Sequence, residues 1–420
     1  MNKKAFFFAS LLLVLSFVLS ACIGLIPLKD EPATGQFGPT VSLQEQQTKA
    51  FEALWKDFQD NYIYFDSANV DWNALHDKYL GQIKTGLTSE QFAALIKDLQ
   101  TDLPKGSLIY QSRSERIQAD TQDTSTYEGI GAFVGFTEDP KPHIVLLAVI
   151  NGSPAEQAGL KAHDSILDID GSPVLLEEGL GAVNRVRGPA GSSVTLGVQS
   201  PGSPERSVKV KRGKLTSTGK LEAINIEGTN YGYILFPPSG DTTLVQEVTQ
   251  SLQTFTTNKK LEGLILDLRI ANSTNGWPLQ DLAAMFSNGT LGEFYNRKDK
   301  QPIQVTGQDV FSSQKVPLVI LVGQNTSGSP EIFAAGLQGQ KRANVIGETT
   351  PGSVEGNASF YLPDGSQAFI ETISFVLPNG SEIGNTGVVP DIPVEASWDQ
   401  ILPNKDPVLD RAVKYLDTHK

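Results

Sequence analysis

Cysteine is nearly absent from this chain: one residue, Cys22, in 420. Histidine is scarce too, with four scattered residues (His76, His143, His163, His419), and no His/Cys spacing suits a metal ion. Positive charge is in deficit. A net charge of −13 argues against a nucleic-acid partner, because phosphate binding needs a basic surface. No cofactor motif stands out. GPAG (Gly188–Gly191) reads as a turn, since no Lys-Ser/Thr follows it as in a phosphate loop. Glu177 and Glu178 are adjacent, so on regular structure they point apart and read as a solvated face. The Asn-x-Ser/Thr triplets at Asn325 and Asn357 read as chance. No internal repeat or low-complexity tract occurs, and only one long apolar run is present.

That run is at the N-terminus. Lys3 and Lys4 precede FFFASLLLVLSFVL, which is short for a spanning helix, and the segment ends in LSAC. Residues 1–22 therefore read as a signal peptide. LSAC resembles a bacterial lipobox, which implies cleavage before Cys22 and lipid attachment there; the alternative is an ordinary signal peptide with a leftover thiol. Residues 23–43, with Pro, Gly and Thr and few large apolar side chains, read as a flexible tether. The expected location is extracytoplasmic, tied to a bacterial membrane by lipid.

Helical periodicity fills residues 44–107. Phe51, Leu54, Trp55 and Phe58 fall on one face, then Trp72, Leu75, Tyr79 and Leu80, then Phe92, Leu95 and Leu99 behind Thr88 as N-cap. Residues 127–212 change to short strands and Gly-rich turns around one short helix, Pro154–Ala158, suggesting a partly open β-barrel. KVKRGK (Lys209–Lys214) reads as its last strand and a linker. From 217 to 395 strands and helices alternate, which predicts an α/β layered core. A last helix, Asp406–Leu416, falls within 396–420.

The stretch with chemical promise is NTSGSPEIFAAGLQ (Asn325–Gln338). VPLVILV (Val316–Val322) reads as a buried strand, Gly323–Ser329 as a polar turn, and a helix opens at Pro330. Strand, tight turn and helix N-terminus together expose a side-chain oxygen beside free backbone N–H groups, the geometry used for acyl transfer.

These segments resemble the tail-specific (C-terminal processing) serine peptidases. LEGLILDLR, the GETTPG turn (Gly347–Gly352), GVVPDIPV and the stretch around Glu331 carry the resemblance. GSPAEQAGLKAHDSILDIDG resembles a PDZ domain. The resemblance implies a helical N-terminal domain, a PDZ β-domain and a crotonase- or ClpP-like core of ββα units. It implies that Gly129, Ile130, Gly131 and Ala132 form a loop whose N–H groups hold a peptide's terminal carboxylate, so the expected partners are peptide or protein C-terminal tails.

The same resemblance places the catalytic serine three residues before Glu331, where this chain has Gly328. Ser329 and Ser327 flank it. Ser329 reads as a helix N-cap with its oxygen turned onto the first turn, or as a displaced nucleophile. The lysine of one branch falls on Ser353, and the histidine of another on Ser107, with Lys105 a conceivable substitute base. The glutamate of that branch falls on Gly384, with Glu382 nearby. After Asp267-Leu268-Arg269 the tight glycine turn is replaced by IANSTNG, with Gly276 alone. The leading expectation is a protein that binds C-termini without cutting. The alternatives are an active serine endopeptidase using Ser329 or Ser327, and a structural adaptor lipoprotein.

Overall fold

The computed structural model describes residues 41–116, 127–215, 220–257, 259–273, 276–384, 386–402 and 405–419. The signal segment and Cys22 lie outside these residues. The chain forms two compact units. One joins the described residues up to 116 with Glu293–Pro302 and Glu355–Val376; the other holds the rest.

In the first unit the helices Leu43–Asn61, Trp72–Ile83 and Ser89–Asp102 start where short polar side chains accept backbone N–H bonds: Ser42, Asp71 and Thr88. Thr88 completes a capping box with Gln91. The apolar stripes of the helices do not close on each other alone. Phe51, Leu54, Phe58, Tyr79 and Ile96 pack with Leu108, Tyr110, Phe360 and Ile370. Those partners belong to strands Leu108–Gln111, Gly356–Tyr361 and Gln367–Val376, which pair antiparallel. Each fully buried side chain of this size contributes about 1.5–3 kcal/mol, so the helices draw part of their stability from Phe360 and Ile370, residues much later in the chain.

Among the described residues the second unit contains two six-stranded sheets and a two-stranded one. Strands Ala132–Thr137, His143–Val149, Ser165–Ile169, Ser193–Gln199 and Arg206–Lys211 pair in that order, with the first at an open edge among the described residues. The basic tract does not end as a linker: Gly213–Leu215 is a strand paired with Tyr127–Gly129. The other six-stranded sheet runs Glu222–Asn225, Tyr231–Leu235, Gly263–Asp267, Leu318–Val322, Asn344–Gly347, Ile392–Pro393. It is parallel from its second strand onward, and Gly263–Asp267 and Leu318–Val322 are wholly buried. That burial explains their unbroken apolar runs.

Strand His143–Val149 is apolar on both faces for a related reason. Ile144 and Leu146 enter the core of their own small domain. Val145 and Leu147 face the other way and meet Phe133, Leu235, Ile270 and Trp398. Two histidines hold the same chain segment. His143 places Nε2 3.0 Å from Asp399 Oδ2 and Nδ1 2.7 Å from the Lys141 carbonyl; the His163 ring lies on Trp398 and bonds its carbonyl.

Candidate active site and peptide groove

Strand Leu318–Val322 delivers the chain into the turn that precedes helix Ser329–Gly339. Thr326, fully buried, ties this turn down. Its hydroxyl donates to the Leu268 carbonyl at 2.8 Å and accepts from the Gly323 N–H at 3.0 Å. Beyond it, Ser327 N–H donates to the Ala271 carbonyl and Ser273 N–H to the Ser327 carbonyl, each at 3.0 Å. The segment after Asp267-Leu268-Arg269 is thereby stitched alongside the turn.

Gly328 has φ 72° and ψ −128°, a region that only glycine enters cheaply. A Cβ at this position would stand 2.4 Å from Ser273 Cβ. Gly328 is the N-cap, and Ser329 is the first helical residue. The sequence predicts Ser329 as the cap and a start at Pro330; with Gly328 as the cap the helix starts one residue earlier, at Ser329. The Ser329 hydroxyl does not fold back onto the first turn but meets Ser273 Oγ at 3.1 Å. Ser273 was missed in the sequence because nothing local marks it; its nearness arises from the bridge between Asn272 and Ser327.

Glu331 does the capping instead. It is 0% exposed, and its carboxylate accepts from Gly328 N–H (2.9 Å), Gly352 N–H (2.7 Å), Ser353 N–H (2.8 Å) and the Thr350 hydroxyl. Burial raises its pKa, opposed by these donors. The Thr350 hydroxyl also accepts from Val388 N–H at 2.8 Å. One carboxylate thus fastens the 328 turn to the GETTPG turn. It brings Gly328, Ser329 and Ser353 into one place, with the Ser353 side chain exposed.

Ser107 and Lys105 belong to the other unit. Ser107 is fully buried, and its hydroxyl has no hydrogen-bond partner among the described residues; Lys105 is exposed. Glu382 is exposed and Gly384 buried. Gly276 lies on an exposed turn at φ 102°, and the two residues before it are outside the described set. None of the four histidines bonds a serine of the turn: His143 and His163 are engaged as above, His76 with Glu52 and Asp77, and His419 with Thr418 and Tyr415. Among the described residues no group of three or more His, Cys, Asp or Glu could hold a metal ion.

The loop Gly129–Ala132 enters the open-edge strand. Its carbonyls point inward: Ile130 C=O accepts from Ala155 N–H at 2.7 Å, and Gly131 C=O from Ile150 N–H at 3.0 Å. In a trans planar peptide the N–H points opposite to the C=O. The N–H groups of Gly131 and Ala132 are therefore aimed away from these partners, toward the open edge, where an extended peptide pairs. Gly131, at φ 85°, admits no side chain because a Cβ would lie 2.4 Å from Ser153 Cβ.

A profile of Peptidase family S41 matches residues 230–394, one of the PDZ domain residues 145–200, and one of the Tricorn protease C1 domain residues 44–101. A carboxyl-terminal-processing protease of Picosynechococcus is 30% identical over 378 residues, covering 84% of this chain and 85% of the relative. Carboxy-terminal processing protease CtpB of Bacillus subtilis is 25% identical, covering 87% and 72%. Among solved structures, the photosystem II D1 C-terminal processing protease superposes with a TM-score of 0.63 at 22% identity, over 90% of this chain and 98% of that one, a likeness of fold. A helical N-terminal region, a PDZ domain and a protease core follow one another in the order the sequence predicts, and this chain belongs to peptidase family S41, among the carboxyl-terminal-processing proteases.

Proposed function

We propose that this chain is an exported lipoprotein, anchored through Cys22, that binds polypeptide C-termini in its PDZ groove and does not cut them. The observation that carries this reading is Gly328. It occupies the backbone conformation of a nucleophile turn, yet it bears no side chain, and Ser273 fills the space a side chain would need. Ser353 and Ser107 stand at the positions where the family resemblance puts a base, and an alcohol of ordinary acidity does not accept the proton of an attacking hydroxyl. Losing a nucleophile or its base costs on the order of a millionfold in rate. The inward carbonyls of Ile130 and Gly131 support retention of the carboxylate-holding loop.

The test has two arms on the folded full chain. Peptides with a free C-terminal carboxylate are expected to bind with micromolar affinity, and their amidated counterparts at least tenfold more weakly. A fluorophosphonate probe is expected to leave the protein unlabelled. Labelling lost in Ser329→Ala, Ser327→Ala or Ser273→Ala would instead establish a displaced nucleophile. Lipid anchoring is read separately, from radiolabelled palmitate incorporation that Cys22→Ala abolishes.

A further inference from the structure

The first unit holds an acidic site beside Ser107, the position where the family resemblance puts the base of one branch and this chain has an alcohol. Strand Leu108–Gln111 pairs antiparallel with Gln367–Ile370, Leu108 opposite Ile370. Just beyond the end of this ladder one bond follows its pattern, Glu371 N–H donating to the Ser107 carbonyl at 3.2 Å, while the Ser107 N–H turns to the Pro104 carbonyl at 3.1 Å. Residues directly opposite in an antiparallel pair project to the same face. Leu108, Tyr110, Ala368 and Ile370 point into the helical core, so Ser107 and Glu371 stand side by side on the other face. Ser107 is 0% exposed with its hydroxyl oxygen unpartnered. The half-buried Glu371 carboxylate has neither a hydrogen-bond donor nor a cation beside it among the described residues. Gly106, at φ 86°, comes so close that a Cβ there would be 2.7 Å from Glu371 Oε1. Glu355 adds a second negative charge, its Oε1 3.0 Å from the Tyr64 hydroxyl, which also lies 2.9 Å from Ser374 Oγ.

We propose that Glu371 and Ser107 form a receptor for a primary ammonium group, supplied by a lysine side chain of a bound polypeptide or by a free alkylamine. Both groups offer acceptor lone pairs, and the local charge is negative. An ammonium brings three N–H donors as a compact point charge on a slender stem, whereas the wide guanidinium fork suits a flat, open carboxylate better than a buried hydroxyl. A hard metal ion is served best by several carboxylates at once, and among the described residues no group of three or more His, Cys, Asp or Glu could hold one. Burial, reinforced by the charge of Glu355, pushes the Glu371 carboxyl up to about 7, as expected of a carboxylate lacking its counter-charge.

The test is calorimetric titration of the full chain at pH 8 and low salt. n-Butylammonium chloride is expected to bind saturably with millimolar affinity. Tetramethylammonium, equal in charge but without N–H groups, is expected to bind at least tenfold more weakly. Glu371→Gln should weaken n-butylammonium at least tenfold, and Ser107→Ala severalfold; if either variant fails to fold, the other decides. An amidated hexapeptide with one lysine binding more tightly than its norleucine counterpart identifies a polypeptide as the source, and equal binding of the two identifies the free amine. The proposal is overturned by an absence of saturable heat, by equal binding of tetramethylammonium, by affinity unchanged in both variants, or by calcium binding more tightly than the amine. Since n-butylammonium carries no carboxylate, this outcome is independent of the PDZ groove.

Discussion

Glu331 and Glu371 are both glutamates withdrawn from water, and their surroundings could hardly differ more. Glu331 is fully buried and saturated, with three backbone N–H groups and one hydroxyl aimed at its two oxygens. Glu371 is only half-buried, has no donor among the described residues, and feels the charge of a second carboxylate, Glu355. Burial raises the pKa of both. What separates them is whether the chain supplies donors. A carboxylate with donors becomes a rivet between two turns, and one without them becomes a liability above neutral pH or a place for something else to bind.

The contrast is broken most severely by Glu331→Ala. Four donors lose their acceptor, and each donor left dry costs about 1–3 kcal/mol. With water reaching some of them, a net loss of about 3–5 kcal/mol is expected in urea titration of the full chain. Gly328→Ser is next. It forces a side chain into a left-handed conformation and against Ser273, so a loss of about 1–3 kcal/mol is expected. Ser273→Gly in the same chain should recover part of it by removing the contact but not the strain. Thr350→Val leaves Glu331 and the Val388 N–H each short of one bond, an expected loss of about 1–3 kcal/mol.

Glu371→Gln sharpens the comparison through its sign. The folded-state pKa of Glu371, about 7, lies above the ordinary value of 4.5. The folded state therefore favours the protonated form. The stabilising contribution is fully present below about 4.5 and is lost as pH rises through about 7. The glutamine variant should match the parent near pH 4.5 and exceed it in melting temperature above pH 7. The smallest effect belongs to Glu355→Gln. It should move the parent's stability transition to lower pH by removing the neighbouring charge; a transition that stays put would mean that burial alone sets it.

Much of the fold was legible because it rests on local patterns: the buried strand before Gly323, the cap at Thr88, the apolar stripe of Phe51, Leu54, Trp55 and Phe58. The site was legible only in part. Gly328 and Glu331 could be placed by their spacing, but the start of the helix depends on a backbone angle at Gly328 that the letters SGSPE do not display. Ser273 reaches the turn because its neighbour Asn272 bridges to Ser327, across 55 positions of chain. Glu371 meets Ser107 only because a late strand returns to complete the early helical core. Contacts made across strands leave no spacing to read.

The two-sided burial of His143–Val149 bears on how the protein can be dissected. A fragment cut at the edges of the PDZ domain would put Phe133, Val145 and Leu147 into water as one greasy plate, and it should stick to itself at concentrations where the intact chain stays dispersed. Replacing Val145 and Leu147 with threonine would make that fragment tractable for measuring tail affinity in isolation.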